Sequence, residues 1–484
     1  MLPNRPGEIK TQPRCVSIWF PAGSVLSSLA ASRLRRAAAT AITLACAAIA
    51  PSAAPAAGVS WMKGFSAPGT PARYNRVGVV KVGPVRSRNV LVLVPGTSAG
   101  GGYFVPLAKT VAAMVPGWQV WSVERRENLL EDHSMVNRAK AHRATALELF
   151  DYYLGYLNNP SITTHFQSMP DASVGFARQW GMRVEVEDLR RVVLSAQRLG
   201  GRVVLGGHSL GGSIATAYAT WDFGGKAGAR GLAGLVYIDG GSSPKPVTPE
   251  QASQSLGQLQ TGSPWLSFGG IPAPLAGLFN VTGSTGALLD PNGPSIGQAW
   301  PLLPANLKPP VRVTNLGQYG YALDSKTSPR SLIAAQAHLG HLAPSGTPRG
   351  WVRAGAITSI QRYAEMFSGT GLQSVDGTAW YHPMRLTIDS GAVGDGNANS
   401  AQSILDVRAT HGADVHVPIY AFGAALGGKR VLADARALAR QSHVPRRQLT
   451  LVDRHTTYAH NDPAAAFPRN VFLSNLVAYL KRIR

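Results

Sequence analysis

Cysteine is almost absent from the 484 residues: there are two, Cys15 and Cys46. Both stand in the N-terminal segment, so the remainder of the chain cannot form a disulfide, a thiolate metal site or a thiol nucleophile. Acidic residues are scarce as well, 25 against 47 Lys and Arg, for a formal charge of +22. Such a surplus raises nucleic acid or an anionic membrane as partners. The basic residues are dispersed and match no nucleic-acid-binding motif, which points instead to a basic surface without a specific polyanion. No apolar run reaches the roughly 20 residues that a transmembrane span needs. What is plentiful is apolar residues, 45% of the chain, with 53 Gly and 34 Pro. That composition describes a globular core with many turns and long connections, not a disordered chain.

Arg33, Arg35 and Arg36 precede an uncharged stretch, Ala37 to Ala50, followed by the small residues PSAAPAAG. A basic region, a short apolar run and small residues read as an export signal with cleavage between Ala54 and Ala57. The expectation is a leader over residues 1–57 and a secreted, periplasmic or cell-envelope protein.

Downstream, NVLVLV (from Asn89), WQVWSV (from Trp118), RVVLGG (from Arg202), GLVYI (from Gly234), HVPIYAFG (from His416) and QLTLVD (from Gln448) are unbroken apolar runs. Helical patterns alternate with them, in VPLAKTVAAM, VEVEDLRRVVLSAQRL, VLADARALARQ and NVFLSNLVAYLKRI. Alternating strands and helices of this kind predict an α/β fold, a mostly parallel sheet covered on both faces, with ligands bound at the carboxyl ends of the strands. The alternation lapses between Gly241 and Thr410, a stretch holding Trp265, Trp300, Trp351 and Trp380. So long a connection predicts a lid with its own small core. The expected organisation is a core over 58–240 and 411–484 and a lid over 241–410. A smaller insertion spans Asn128 to Met182, and its segment RAKAHRATALELFDYYLGYL is helix-like.

The sequence VVLGGHSLGGSIATAYATW sets Ser209 between an apolar run and a small-residue helix. A serine hydroxyl becomes a nucleophile only when a base takes its proton, and it must stand clear of its own backbone. Gly207 and Gly211, two residues to either side, permit a sharp strand-to-helix turn that exposes it, with the N–H of Leu210 as a donor for a developing oxyanion. Through Gly207-His208-Ser209-Leu210-Gly211-Gly212 in this context, the chain resembles the α/β-hydrolase superfamily. The resemblance covers about Val77 to Gly240 and Val415 to Arg484, and the lid matches nothing in it. It implies a fold with a central sheet and a large inserted lid, and no cofactor. It also implies a second oxyanion donor in the loop after an earlier strand, where Pro95-Gly96 precedes Thr97; the neighbour, Ser98, is the alternative.

The family order of nucleophile, acid and base places the histidine after the last strand. Tyr458-Ala459-His460-Asn461-Asp462 resembles the lipase-like pattern, which favours His460 over His455. His208 is read as packing within the turn. The acid departs from the family: Ala425 and Leu426 occupy its usual place, and Asp434 follows too late. Asp239, at the end of a strand and followed by two glycines, is the choice, with Asp414, Asp406 or no acid at all as alternatives.

Three further signals are set aside. HLGHL (His338 to Leu342) lacks the glutamate of a zinc-protease motif, ERRENLLEDH (Glu124 to His133) is read as solvated charge, with an ion-pair network near the pocket rim as the alternative, and NVT at Asn280 is a glycosylation sequon only in a host that glycosylates. The expected function is a secreted serine hydrolase cleaving carboxylic esters or lipids by a Ser209–His460–Asp239 triad, with Thr97 and Leu210 as oxyanion donors and no metal. Its small-molecule substrate is expected to carry an apolar group. The rival readings are an acyltransferase using the same triad, a non-catalytic binding protein on this fold and an envelope protein that binds anionic polymers.

Overall fold

A computed structural model describes residues 58–241, 245–268, 271–371 and 375–483. The leader expected over 1–57 and both cysteines lie outside the described residues. The six apolar runs form six strands of one eight-stranded sheet, and two further strands precede them: β1 (Val59–Lys63), β2 (Arg76–Val82), β3 (Asn89–Val94), β4 (Trp118–Glu124), β5 (Val203–His208), β6 (Gly234–Ile238), β7 (Ile419–Gly423) and β8 (Leu449–Asp453). Their spatial order is β1-β2-β4-β3-β5-β6-β7-β8. β2 runs antiparallel to both neighbours, and every pairing from β4 onward is parallel. β3 to β7 are buried along almost their whole length, as strands covered on both faces must be.

The helices include α1 (Val105–Met114), α2 (Ala146–Tyr153), α3 (Met182–Gln197), α4 (Leu210–Thr220), α5 (Pro249–Thr261), α6 (Ala273–Leu289), α7 (Asn315–Leu323), α8 (Ile360–Ser368), α9 (Gly428–Gln441) and α10 (Val471–Arg482), of which α1, α3, α4, α9 and α10 pack on the strands of this sheet. α3 and α4 pack on one face with Val90, Val92 and Leu205; α1 and α10 pack on the other with Leu91, Leu93 and Val204.

The helix-like segment RAKAHRATALELFDYYLGYL falls in two helices. The first ends at Lys140, and α2 restarts at Ala146 behind Thr145, whose hydroxyl accepts the Glu148 N–H at 3.1 Å while Glu148 Oε2 accepts the Thr145 N–H at 2.7 Å. This reciprocal cap favours a fresh helix start over continuation. The lid residues do not form a core of their own. Trp265, Trp300 and Trp380 join Leu149, Tyr153 and Phe166 of the smaller insertion in one cluster, and Tyr319, Tyr363 and Met366 merge with the face of the sheet that carries α1. The charged run after β4 is also not solvated. Arg125, Arg126 and Glu127 are no more than 2% exposed, and Arg126 grips Asp188 of α3 through paired contacts of 2.7 to 2.9 Å. That partner lies 62 residues away, so it leaves no local mark in the sequence.

Candidate active site

β5 delivers the chain directly to Ser209, and α4 begins at the next residue. Ser209 sits at φ 54°, ψ −125°, a strained conformation for a residue with a Cβ. The surroundings hold it there. Its N–H donates to the Ile238 carbonyl at 3.0 Å and its own carbonyl accepts from Gly212 N–H at 2.9 Å. A Cβ on Gly207 would stand 2.0 Å from the Gly211 carbonyl oxygen, and one on Gly211 would stand 2.0 Å from that of Val94. The two glycines flanking the serine are thus required by backbone contact, and Ser209 is left half-buried at a helix N-terminus beside the unsatisfied first-turn N–H groups.

Asp239 follows β6. Its Oδ2 lies 2.6 Å from His460 Nδ1, and neither side chain is more than 1% exposed. Asp239 Oδ1 accepts from the N–H groups of Ala424, Gly427 and Gly428 at 2.6, 3.0 and 3.1 Å, and Oδ2 accepts from Leu426 N–H at 3.1 Å. The turn that lacks the family's acid therefore wraps the carboxylate of Asp239 with its backbone. Burial alone would raise the Asp239 pKa; the hydrogen bond and charge of His460, with the Ala424 and Gly427 N–H groups, outweigh it and hold the carboxyl below its ordinary value. The other candidates are engaged elsewhere. His455 pairs with Asp453 at 2.6 Å on the surface, Asp414 with His411 at 2.6 Å, and Asp406 with Arg183 at 2.5 Å. Asp434 lies within α9.

Ser209 and His460 line one cavity of about 560 Å³, together with Gly96, Thr97 and Ser98. The loop after β3 abuts the elbow, since a Cβ on Gly96 would lie 2.9 Å from Ser209 Cβ. Arg125 fixes that loop from behind: its Nη1 donates to the carbonyls of Pro95 and Gly96, each at 3.1 Å, while its Nε is held by Glu127 at 2.6 Å. In a trans peptide the C=O and the following N–H point opposite ways. A Gly96 carbonyl held on Arg125 therefore turns the Thr97 N–H away from Arg125. The aromatic wall comes from the insertions. Trp300 packs edge-on against Phe150 and Phe279, at 5.6 Å in each case. Of the four tryptophans in the lid sequence, Trp300 alone lines this cavity; Trp265 and Trp380 are core, and Trp351 packs on Gly320 of α7. Asn280 also faces the cavity, accepting from Tyr319 Oη at 3.2 Å and donating to Thr378 Oγ1 at 3.4 Å, which disqualifies the sequon as a surface acceptor.

His208 does more than pack. Its Nε2–H donates to the His460 carbonyl at 3.0 Å, and the two rings lie 4.2 Å apart. Tyr103 also stacks on His208 and donates to Asn461 Oδ1 at 2.8 Å. His338, from HLGHL, reaches the same loop: its Nδ1 lies 2.6 Å from Asp462 Oδ2, an oxygen that also accepts the Ala459 N–H at 2.7 Å. Residues 459–462 are thereby tied to β5 and to the lid on both flanks of His460. Sequence reasoning missed this buttress, whose visible traces were the histidine next to the serine and HLGHL.

Burial, followed by the charge of His460, pushes the His208 pKa down from 6.5 to about 3. The unfolded chain therefore binds a proton at this site that the folded chain does not, between pH 6.5 and about 3, so folding stability falls as pH falls through that window. In His208→Gln, which keeps a donor near Nε2, the loss of stability between pH 6.5 and 4 is expected to be shallower than in wild type. Urea midpoints across that range check this; identical slopes would exclude His208 as a contributor.

No protein-family model matches the chain, and no curated protein sequence matches it. Solved structures do resemble it. A protein assigned as a lipase from Sulfolobus solfataricus is 15% identical, with 88% of this chain and 94% of that one covered, at a TM-score of 0.46. The monoacylglycerol lipase of Paleococcus ferrophilus is 14% identical, over 84% of this chain and 98% of that one, at 0.35. A soluble variant of the Saccharomyces cerevisiae monoglyceride lipase is 11% identical, over 87% and 94%, at 0.36. The architectural assignment rests on the strands themselves: their order, the antiparallel second strand and the serine elbow after β5 give this chain the α/β-hydrolase fold.

Proposed function

We propose that the protein is a serine hydrolase that cleaves carboxylic esters with an apolar acyl or alcohol group, as a secreted or cell-envelope enzyme. One observation carries the reading: a buried aspartate–histidine pair at 2.6 Å opens onto the same apolar cavity as a serine on a strained elbow. In this reading Ser209 Oγ attacks the ester carbonyl, and His460 Nε2 takes its proton and later delivers it to the departing alkoxide. Asp239 holds Nδ1–H and so keeps Nε2 free to act as the base. The N–H groups of Leu210 and Thr97 receive the developing oxyanion, the second aimed by the grip of Arg125 on the Gly96 carbonyl. Water, activated by His460, then releases the acid and restores the hydroxyl. The cavity lies within the range of roughly 300–1,000 Å³ usual for small-molecule sites. Its Phe and Trp walls favour an apolar group, at about 0.8 kcal/mol for each methylene removed from water.

A fluorophosphonate probe tests the proposal, because it phosphonylates only an activated serine. The native chain is expected to label in a single position and Ser209→Ala to lose that label entirely. Absence of labelling in a folded native chain overturns the reading in favour of a binding protein.

A further inference from the structure

Between β4 and α2, and again in the segment before Thr378, three side chains converge outside the proposed catalytic set. Glu131 Oε2 lies 2.9 Å from His133 Nε2, and Asp376 Oδ2 lies 3.0 Å from the same nitrogen. All three ligand-type atoms fall within 4.8 Å of one another. The outer oxygens of both carboxylates are already occupied. Glu131 Oε1 accepts the Trp380 N–H at 2.7 Å and Asp376 Oδ1 accepts the Thr378 N–H at 3.1 Å. The inner atoms are thereby turned towards a common point. The Glu131 and Asp376 side chains are 1% and 4% exposed, yet neither Glu131 Oε2 nor His133 Nε2 has a hydrogen-bond partner of acceptable geometry. Close approach without hydrogen-bond alignment is what two ligand atoms show when both face a third body. Ligands around a tetrahedral zinc ion stand about 3.3 Å apart, given bonds of 2.0–2.2 Å.

We infer that Glu131, His133 and Asp376 form a binding site for one divalent transition-metal cation, zinc in the first instance. One imidazole with two carboxylates is a nitrogen–oxygen donor set suited to that class rather than to calcium or magnesium, which take oxygen alone. The backbone bonds to the outer oxygens supply the orienting contacts that such sites require, and the His133 side chain, 31% exposed, leaves a path from solvent. The role is structural. The site joins the segment after β4 to residues 376–379, which pair with the loop after β3: Gly100 N–H donates to the Gly377 carbonyl at 2.9 Å and Ala379 N–H to that of Ser98 at 3.0 Å. The cation therefore clips together the strands of chain that back the oxyanion loop, and it takes no part in the reaction.

The competing arrangement is a protonated His133 between two carboxylates, with the Lys140 ammonium in the field of Asp376. Zinc titration of the chelator-stripped full chain, followed by calorimetry and by metal content after desalting, separates the two. The wild type is expected to retain one equivalent, with a raised Tm, and His133→Asn to bind it more than about 100-fold more weakly, since even outer contacts to such ligands are worth 10–100-fold. His455→Ala, a surface control, is expected to bind as wild type does. Cobalt in place of zinc gives the intense visible absorption of a four-coordinate site in the wild type, which keeps the test open should a variant fail to fold. Equal zinc uptake by wild type and a folded His133→Asn, or wild-type cobalt spectra indistinguishable from the free ion, overturns the inference.

Discussion

His460→Ala is expected to lower kcat/KM for a p-nitrophenyl ester by roughly 10⁵-fold, and His455→Ala to leave it within about twofold. The contrast is large because the two histidines, five residues apart in one loop, have opposite surroundings. The ring of His460 is sealed between Asp239 and His208 and opens only onto the cavity. His455 pairs with Asp453 in solvent. Removing a general base costs an enzyme nearly all its transition-state stabilisation beyond binding and the oxyanion contacts, whereas an exposed pair contributes little to anything. Steady-state kinetics on both variants, with Tm as the check on folding, decide it. Loss of turnover in His455→Ala alone would assign the base to the wrong loop position.

Asp239→Asn is expected to cost about 10⁴-fold in kcat, with the fold retained. The hydrogen-bond pattern gives the reason. Oδ1 accepts three N–H groups, so the amide oxygen of asparagine takes that place. The amide NH₂ then replaces Oδ2 and faces His460 Nδ1 and the Leu426 N–H, both reached by Oδ2 in the native chain. A donor facing Nδ1 drives the proton to Nε2, the wrong tautomer for a base. The Leu426 N–H loses its acceptor at a cost of about 1–3 kcal/mol, so Tm falls modestly while activity collapses. Activity within about tenfold of wild type would remove Asp239 from the mechanism.

The legible parts of the sequence are those whose physics is local. An apolar run, two glycines two residues from a serine, and a helix of small residues specify the elbow within about 20 positions, because the strand, the close backbone contacts and the helix are all sequence neighbours. Asp239 was readable for the same reason, lying at a strand end with glycines after it. The cradle of N–H groups around it was not, since every residue but proline carries a backbone donor and the turn at 424–428 advertises nothing. The burial of Arg125 and Arg126 depends on Glu127, Asp188 and two carbonyls of a distant loop, so a run rich in charge reads first as surface, and an ion-pair network is only its second reading. β1 and β2 were not separated at all: VSWMK and RVGVVKV mix exposed and buried positions at the sheet's antiparallel edge.

The turn at 424–428 meets Asp239 through backbone alone, and this frees its side chains from any chemical duty. Leu426 borders the large cavity while its N–H serves the carboxylate. Residue 426 is accordingly a place where the shape of this cavity can be retuned, by evolution or by an engineer, without moving a charge in the Asp239–His460 pair. In a hydrolase that carried its acid on this turn, the same position would be tethered to the reaction.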